Sequence, residues 1–340
     1  MTRPTRSLGF DRFSGVYLLA LFILVFSIWQ PELFATAATL HSVAADRAIS
    51  GLMALAILVP LVAGVYDLSV GATVNLTTII AVQLLNDGKS IATAVVLSVL
   101  VGTGIGVVNG FVVVKLRVNS FITTLGMASI IASFQIIVTN NQQPLAPNLQ
   151  PWDDLTQTTV LGFQVVVLYV LVIAAVVWWA LACTPAGRYL YAIGGSPDAA
   201  RLSGVRVDRY TWCSLIASGT LAGIAGVLYA SLSGPSLSFG AGLLLPAFAA
   251  VFLGSTQITP GRFNVWGTVL AIYVLATGVK GLQLVTDVQW LDTMFSGVAL
   301  ITAVAVAVGR QRSTEERIRR RTTTPQEPPA EVREPDIVQV

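Results

Sequence analysis

The chain has 340 residues, 54% hydrophobic and 11% charged, with a formal net charge of +3 and a mean hydropathy of +0.76. A soluble domain carries about 25% charged residues, and runs of roughly 18 or more apolar residues, long enough to cross a bilayer, recur along the sequence. These values exclude a soluble enzyme and predict an all-α integral membrane protein.

Residues 1–15 form a short basic segment, and an apolar run follows from Val16 to Trp29. Gln30–Phe34 stands where a signal peptide would have a small-residue cleavage site, so a retained first helix is expected. Reading apolar runs against breakers gives ten candidate crossings: 16–30, 50–66, 69–86, 91–114, 121–139, 160–182, 211–233, 243–259, 264–284 and 290–308. The membrane domain is therefore expected over 16–308. Beyond it, residues 309–340 hold the basic run Arg317–Arg321 and then a Pro-, Glu- and Thr-rich stretch. That composition favours a disordered tail.

Within Ala48–Leu85, Asp67 is the only charged residue. As one helix that stretch would be about 57 Å long, against about 30 Å for one crossing. It must cross twice, or cross once and partly re-enter. Pro60, Gly64 and Gly71 surround Asp67, and both residue types loosen a helix. Two readings are open. Either Asp67 or Ser69 caps the next helix in a tight inner turn, or a broken helix lines a path.

Charge fixes the orientation. With the N-terminus inside and alternating spans, the inner side of the membrane domain receives ten Lys and Arg residues, the tail adds seven, and the outer side receives Arg47, Lys89 and Lys280. The positive-inside rule then places both termini in the cytoplasm. The Gln142–Leu155 loop, without Lys or Arg, fits the outside, where Trp152 is expected as an interfacial anchor.

No G-x-x-x-x-G-K-[ST] occurs, so no P-loop binds ATP here. Gly102, Gly106 and Gly110 recur on one helix face and read as close helix packing. Cys183 and Cys213 are isolated and read as small packing residues; the lone histidine, His41, builds no metal site. Asn75, Asn109, Asn119 and Gln135 lie in or beside spans. Singly each reads as helix–helix glue; as a set they suggest a polar interior able to pass a hydroxylated solute. With Asp67, Ser69 and Thr123, the three asparagines Asn75, Asn109 and Asn119 are the candidate translocation-pathway residues.

The longest inner loop, Thr184–Arg209, is too polar for a span. Ser196 as cap, Pro197 at the first position and Asp198 in the first turn start a short helix that Gly204 can end. It is either a surface helix amid positive-inside charges or a docking helix for a cytoplasmic partner.

Several stretches resemble the permease subunits of bacterial ATP-binding-cassette importers for ribose and other simple sugars. They are Gly64–Gly71, Leu116–Val118 with Phe121–Gly126, and the loop from Thr184 through Gly187-Arg188, Tyr191–Gly195 and Ala199–Val205. Leu253-Gly254, Gly261-Arg262 and Gly267-Thr268 continue the match, which covers roughly 50–305. Val65 and Tyr66 replace the family's Gly and Ile, Ser255 and Pro260 stand where paired glycines are common, and Lys280 stands for an Asn. The resemblance implies a coupling helix at Ser196–Val205, with Ser196, Asp198, Ala199, Ala200, Arg201 and Gly204 engaging a cytoplasmic ATPase. It also implies a periplasmic or lipid-anchored sugar-binding protein, a second permease subunit and a bacterial inner-membrane location, with no nucleic-acid partner. This chain would bind no cofactor, while the partner ATPase uses ATP and Mg. A stand-alone secondary transporter is the alternative, weakened by the lack of an acid relay; a membrane-embedded enzyme is opposed by the lack of clustered catalytic residues.

Overall fold

The computed structural model describes residues 10–305, apart from 287, 289 and 292. The N-terminal basic residues before Phe10 and the expected tail, with Arg317–Arg321, lie outside the described residues.

The described chain is mostly helical. In order the helices are α1 (Phe10–Trp29), α2 (Pro31–Phe34), α3 (Ala37–Asp46), α4 (Ala48–Val62), α5 (Val70–Asn86), α6 (Ile91–Val114), α7 (Ser120–Thr139) and α8 (Gln150–Gln157). Then come α9 (Val165–Trp178), α10 (Pro185–Gly195), α11 (Pro197–Leu202), α12 (Val207–Ser233), α13 (Phe239–Gly254), α14 (Val265–Thr286) and α15 (Thr293–Ala305). A two-residue hairpin pairs Thr159–Val160 with Phe163–Gln164 before α9, which runs on into a π turn, Trp179–Cys183.

Among the described residues, six helical stretches are long and apolar enough to span a membrane: Ala37–Val62, Ile91–Val114, Ser120–Thr139, Val165–Cys183, Val207–Ser233 and Val265–Thr286. Phe13–Trp29, Val70–Asn86, Phe239–Gly254 and Thr293–Ala305 are shorter apolar helices. The chain is a helical membrane protein. The expected crossing over 50–66 is displaced: its helix begins at Ala37 and stops at Val62. Asp46 and Arg47 mask the start in a hydropathy reading, and the Gly64 turn ends it early.

Every residue of α4 is buried, so this helix is the axis of the bundle. Helices α12, α13, α9 and α14 pack around it. The outer faces of α6, α7 and α9 are apolar, with Leu100, Ile122, Ile137 and Val176 exposed. Such faces match hydrocarbon rather than water. Helix α6 crosses α12 at backbone contact, where a Cβ on Gly102 would lie 2.5 Å from the Gly219 carbonyl oxygen and one on Gly106 2.5 Å from that of Leu215. The glycine face read from the sequence is this seam.

Two expectations are corrected. Trp152 is fully buried, packed with Ala81, Val82, Ala94 and Val227, so it fastens α8 to the bundle and is no interfacial anchor. Cys183 and Cys213 are exposed rather than packed within the core.

Candidate functional site

The first candidate region is the break between α4 and α5. Pro60 sits in the last turn of α4, and Gly64 has φ +75°. The Gly64 N–H donates to the Leu61 carbonyl and the Val65 N–H to that of Pro60. This is the Schellman pattern, in which glycine supplies the left-handed residue that closes a helix. Residues 65–69 then run without helix.

A non-helical backbone inside a membrane protein needs partners for its N–H groups. Here α7 supplies them: Tyr66 N–H donates to Ser120 Oγ at 3.2 Å and Leu68 N–H to Thr124 Oγ1 at 3.0 Å. Asp67 Oδ1 takes the Ser69 N–H at 3.0 Å and the Ser69 hydroxyl at 2.6 Å. Asn109 Nδ2 on α6 donates to Ser69 Oγ at 2.8 Å. Ser218 on α12 lies beside the carboxylate without completing a hydrogen bond to it. Asp67, Ser69 and Asn109 are all buried, so the carboxylate is not in interfacial water. It holds Ser69, the residue before α5, and through Ser69 links the start of α5 to α6; neither Asp67 nor Ser69 gives α5 a side-chain cap bond, against the capping expectation.

Farther along α5, Asn75 uses both ends of its amide. Oδ1 accepts the Gly240 N–H at 2.6 Å, and Nδ2 donates to the Leu237 carbonyl at 3.0 Å. Gln135 on α7 donates to the Ala72 carbonyl at 3.0 Å. These two amides therefore serve helix–helix contacts. Asn119 is exposed and caps α7 by accepting the Phe121 N–H at 2.9 Å. Thr123 is buried, and its hydroxyl has no hydrogen-bond partner among the described residues. The structure brings Asp67, Ser69 and Asn109 together; Asn75 lies at a separate contact with the start of α13.

The second region is α10–α11. Thr184 caps α10 by accepting the Gly187 N–H, with Pro185 at the first position. Ser196 caps α11 by accepting the Ala199 N–H at 3.3 Å, with Pro197 at the first position and Asp198 in the first turn. Gly204, at φ +81°, closes α11: its N–H donates to Arg201 and that of Val205 to Ala200. Ala200 is the one residue of α11 buried in the core. Arg201 lies 3.7 Å from Asp198 and 3.6 Å from Asp208, all at exposed positions, where ion pairs contribute little. Leu202 is 91% exposed. Hydropathy averaging over the polar loop concealed this bare leucine on a short capped helix.

Helix α10 also touches α4 at the break. Gly194 lies against the Val62 carbonyl so closely that a Cβ could not fit. A cavity of about 540 Å³ opens beside this contact, lined among others by Tyr66, Tyr191, Ser255 and Arg262. Tyr191 and Arg262 belong to this region but were not among the sequence candidates. Burial pushes the Tyr191 hydroxyl above its usual pKa, and the Arg262 charge partly opposes that.

A family model described as "Branched-chain amino acid transport system / permease component" matches residues 39–304. The chain belongs to this permease family. The ribose import permease protein of Escherichia coli K12 is 31% identical over 301 residues, covering 85% of this chain and 92% of that protein. The autoinducer 2 import system permease protein of Escherichia coli K12 is 30% identical over 308 residues, covering 88% and 93%. The ribose import permease protein of Haemophilus influenzae is 28% identical over 292 residues, covering 84% and 90%. No solved structure matches significantly. Membership of this permease family makes the chain a transport component and not an enzyme, and it disfavours the stand-alone secondary transporter.

Proposed function

We propose that this permease is the translocation subunit of an ATP-binding-cassette importer for a monosaccharide or related polar solute, which a periplasmic or lipid-anchored binding protein delivers. The observation that carries this reading is α11. It is a six-residue helix capped at both ends, with Ala200 packed into the core and Leu202 standing free. A helix so held transmits force without deforming. The partner is a cytoplasmic ATPase that receives α11 in a cleft and uses ATP and Mg; this chain binds no cofactor. Ser196 and Gly204 hold the ends of α11, Ala200 fixes it to the bundle, and Asp198, Ala199 and Arg201 meet the ATPase.

The reading places the chain in a bacterial inner membrane with ten crossings over 16–308, both termini cytoplasmic and 309–340 as a cytoplasmic tail. A second permease subunit completes the pathway. The Asp67, Ser69 and Asn109 chain, with Asn75, shapes the wall of that pathway by fixing where α5 starts and where α13 meets it. Asn119 and Thr123 belong to the same wall through α7. The similarity of this chain to ribose and autoinducer 2 import permeases supports a small polar solute.

The test is purification of the tagged protein from its own cells in mild detergent, with mass spectrometry of what accompanies it. A stoichiometric P-loop ATPase is the expected result. Solute uptake by the chain reconstituted alone would overturn the importer reading.

A further inference from the structure

Two consecutive residues of the turn between α13 and α14 are held by one side chain of α10. The Arg262 guanidinium lies 3.5 Å from the centre of the Tyr191 ring, and the Tyr191 hydroxyl donates to the Phe263 carbonyl at 2.6 Å. The first is a cation–π contact, the second a short neutral hydrogen bond. They reach across the cavity of about 540 Å³ that separates Gly194 and Gly195 from Phe252, Ser255 and Gly261. Close packing therefore does not join α10 to this turn, and without Tyr191 the open space would let them slide. On its other side α10 has no such freedom, since Gly194 meets the Val62 carbonyl directly. The turn is itself well anchored. Asn264 Nδ2 donates to the Gly254 and Gln257 carbonyls, and its Oδ1 accepts the Gly267 N–H at 2.7 Å. A pull on Phe263 is thus passed to the C-terminus of α13 and the N-terminus of α14 together.

We infer that Tyr191 is a positioning residue that carries movement of the α10–α11 unit into the α13–α14 pair, while Gly194 carries it into α4. This rests on the importer reading, in which α11 is moved by the ATPase. Rigid elements that shift together between two arrangements are how such a signal travels. Losing one neutral hydrogen bond lowers the ratio of linked to unlinked α10 and turn by about five-fold, enough to loosen the link without unfolding the helices.

The test uses the intact complex of this chain with its ATPase in lipid nanodiscs, with Cys183 and Cys213 replaced by serine. Spin labels go on exposed Arg188 of α10, on exposed Thr259 of the turn and on exposed Lys115 after α6 as a reference. Distances are read without nucleotide and with ATP and vanadate. In the parent complex, the Thr259–Lys115 distance is expected to change with nucleotide while Arg188–Thr259 stays constant. In Tyr191→Phe the Arg188–Thr259 distribution broadens. In Tyr191→Phe combined with Arg262→Gln, ATP hydrolysis persists and the nucleotide-driven Thr259–Lys115 shift is lost. Identical distances in the parent and the double variant would overturn the inference. A parent complex in which ATP and vanadate move neither label pair would overturn the importer reading beneath it, a result distinct from a failure confined to the variants.

Discussion

Asp67 accepts two hydrogen bonds on one carboxylate oxygen and has no basic partner among the described residues. Its role is to satisfy the N–H of Ser69, the residue before α5, and to orient the Ser69 hydroxyl toward Asn109. Asp67→Ala orphans the buried Ser69 N–H and breaks this chain of bonds, a loss of about 2 kcal/mol of stability. Asp67→Asn keeps an acceptor at Oδ1 and should lose less. Thermal unfolding in detergent reads the difference, and equal midpoints for the two variants would show that the acceptor is unimportant. Tyr191 gives a prediction in pH. Its folded pKa is raised, chiefly by burial, so its contribution to stability is complete below the unfolded tyrosine value of about 10. That contribution is lost as pH rises through the higher folded value. Stability should therefore be flat in this respect through neutrality, and the alkaline decline should be smaller in Tyr191→Phe.

Two features at the level of elements respond to single side chains. On α6, Gly102 and Gly104 are neighbours on different faces: a Cβ on Gly102 would meet the α12 backbone, while one on Gly104 meets nothing within 4 Å. Gly102→Ala is expected to cost about 1–3 kcal/mol through overpacking, and Gly104→Ala to stabilise by up to about 1 kcal/mol through helix propensity. Urea unfolding of both variants, measured side by side, decides it; like signs would sink the seam. On α11 the caps were legible in the sequence, because Ser-Pro-Asp and a following Gly act within one turn. The long-range partners of the break around Asp67 were not, since Asn109 bonds Ser69 and Thr124 bonds Leu68 from helices that only the fold brings near. The same limit hid Tyr191 and Arg262, which are 71 positions apart in the sequence. Trp152 was misread because an amphipathic ring suits a membrane interface, and nothing local reveals that α8 folds it beneath itself.

For the whole molecule, the pattern of burial separates two kinds of exposed apolar residue. Those on α6, α7 and α9 form continuous faces along helices able to span a bilayer, and lipid accounts for them. Leu202 cannot be explained so. It stands on a six-residue helix in a loop rich in arginine, with Arg201 beside it and Arg206 and Arg209 beyond, a composition that fits the aqueous side of a membrane. In the importer reading this side chain enters the ATPase cleft, and the ordered end of α11 supplies a rigid mount for it. Truncating a central apolar anchor of an interface typically costs more than about 1 kcal/mol, and placing a charge in the cleft adds desolvation. Leu202→Asp should therefore weaken ATPase association by at least about ten-fold while leaving the unfolding temperature of the permease alone unchanged, because the side chain touches little of its own fold. Titration of the purified ATPase against the permease in nanodiscs measures this. Undiminished affinity would move the docking site away from α11, whereas weakened affinity together with a lowered unfolding temperature would make Leu202 a folding residue and not a contact.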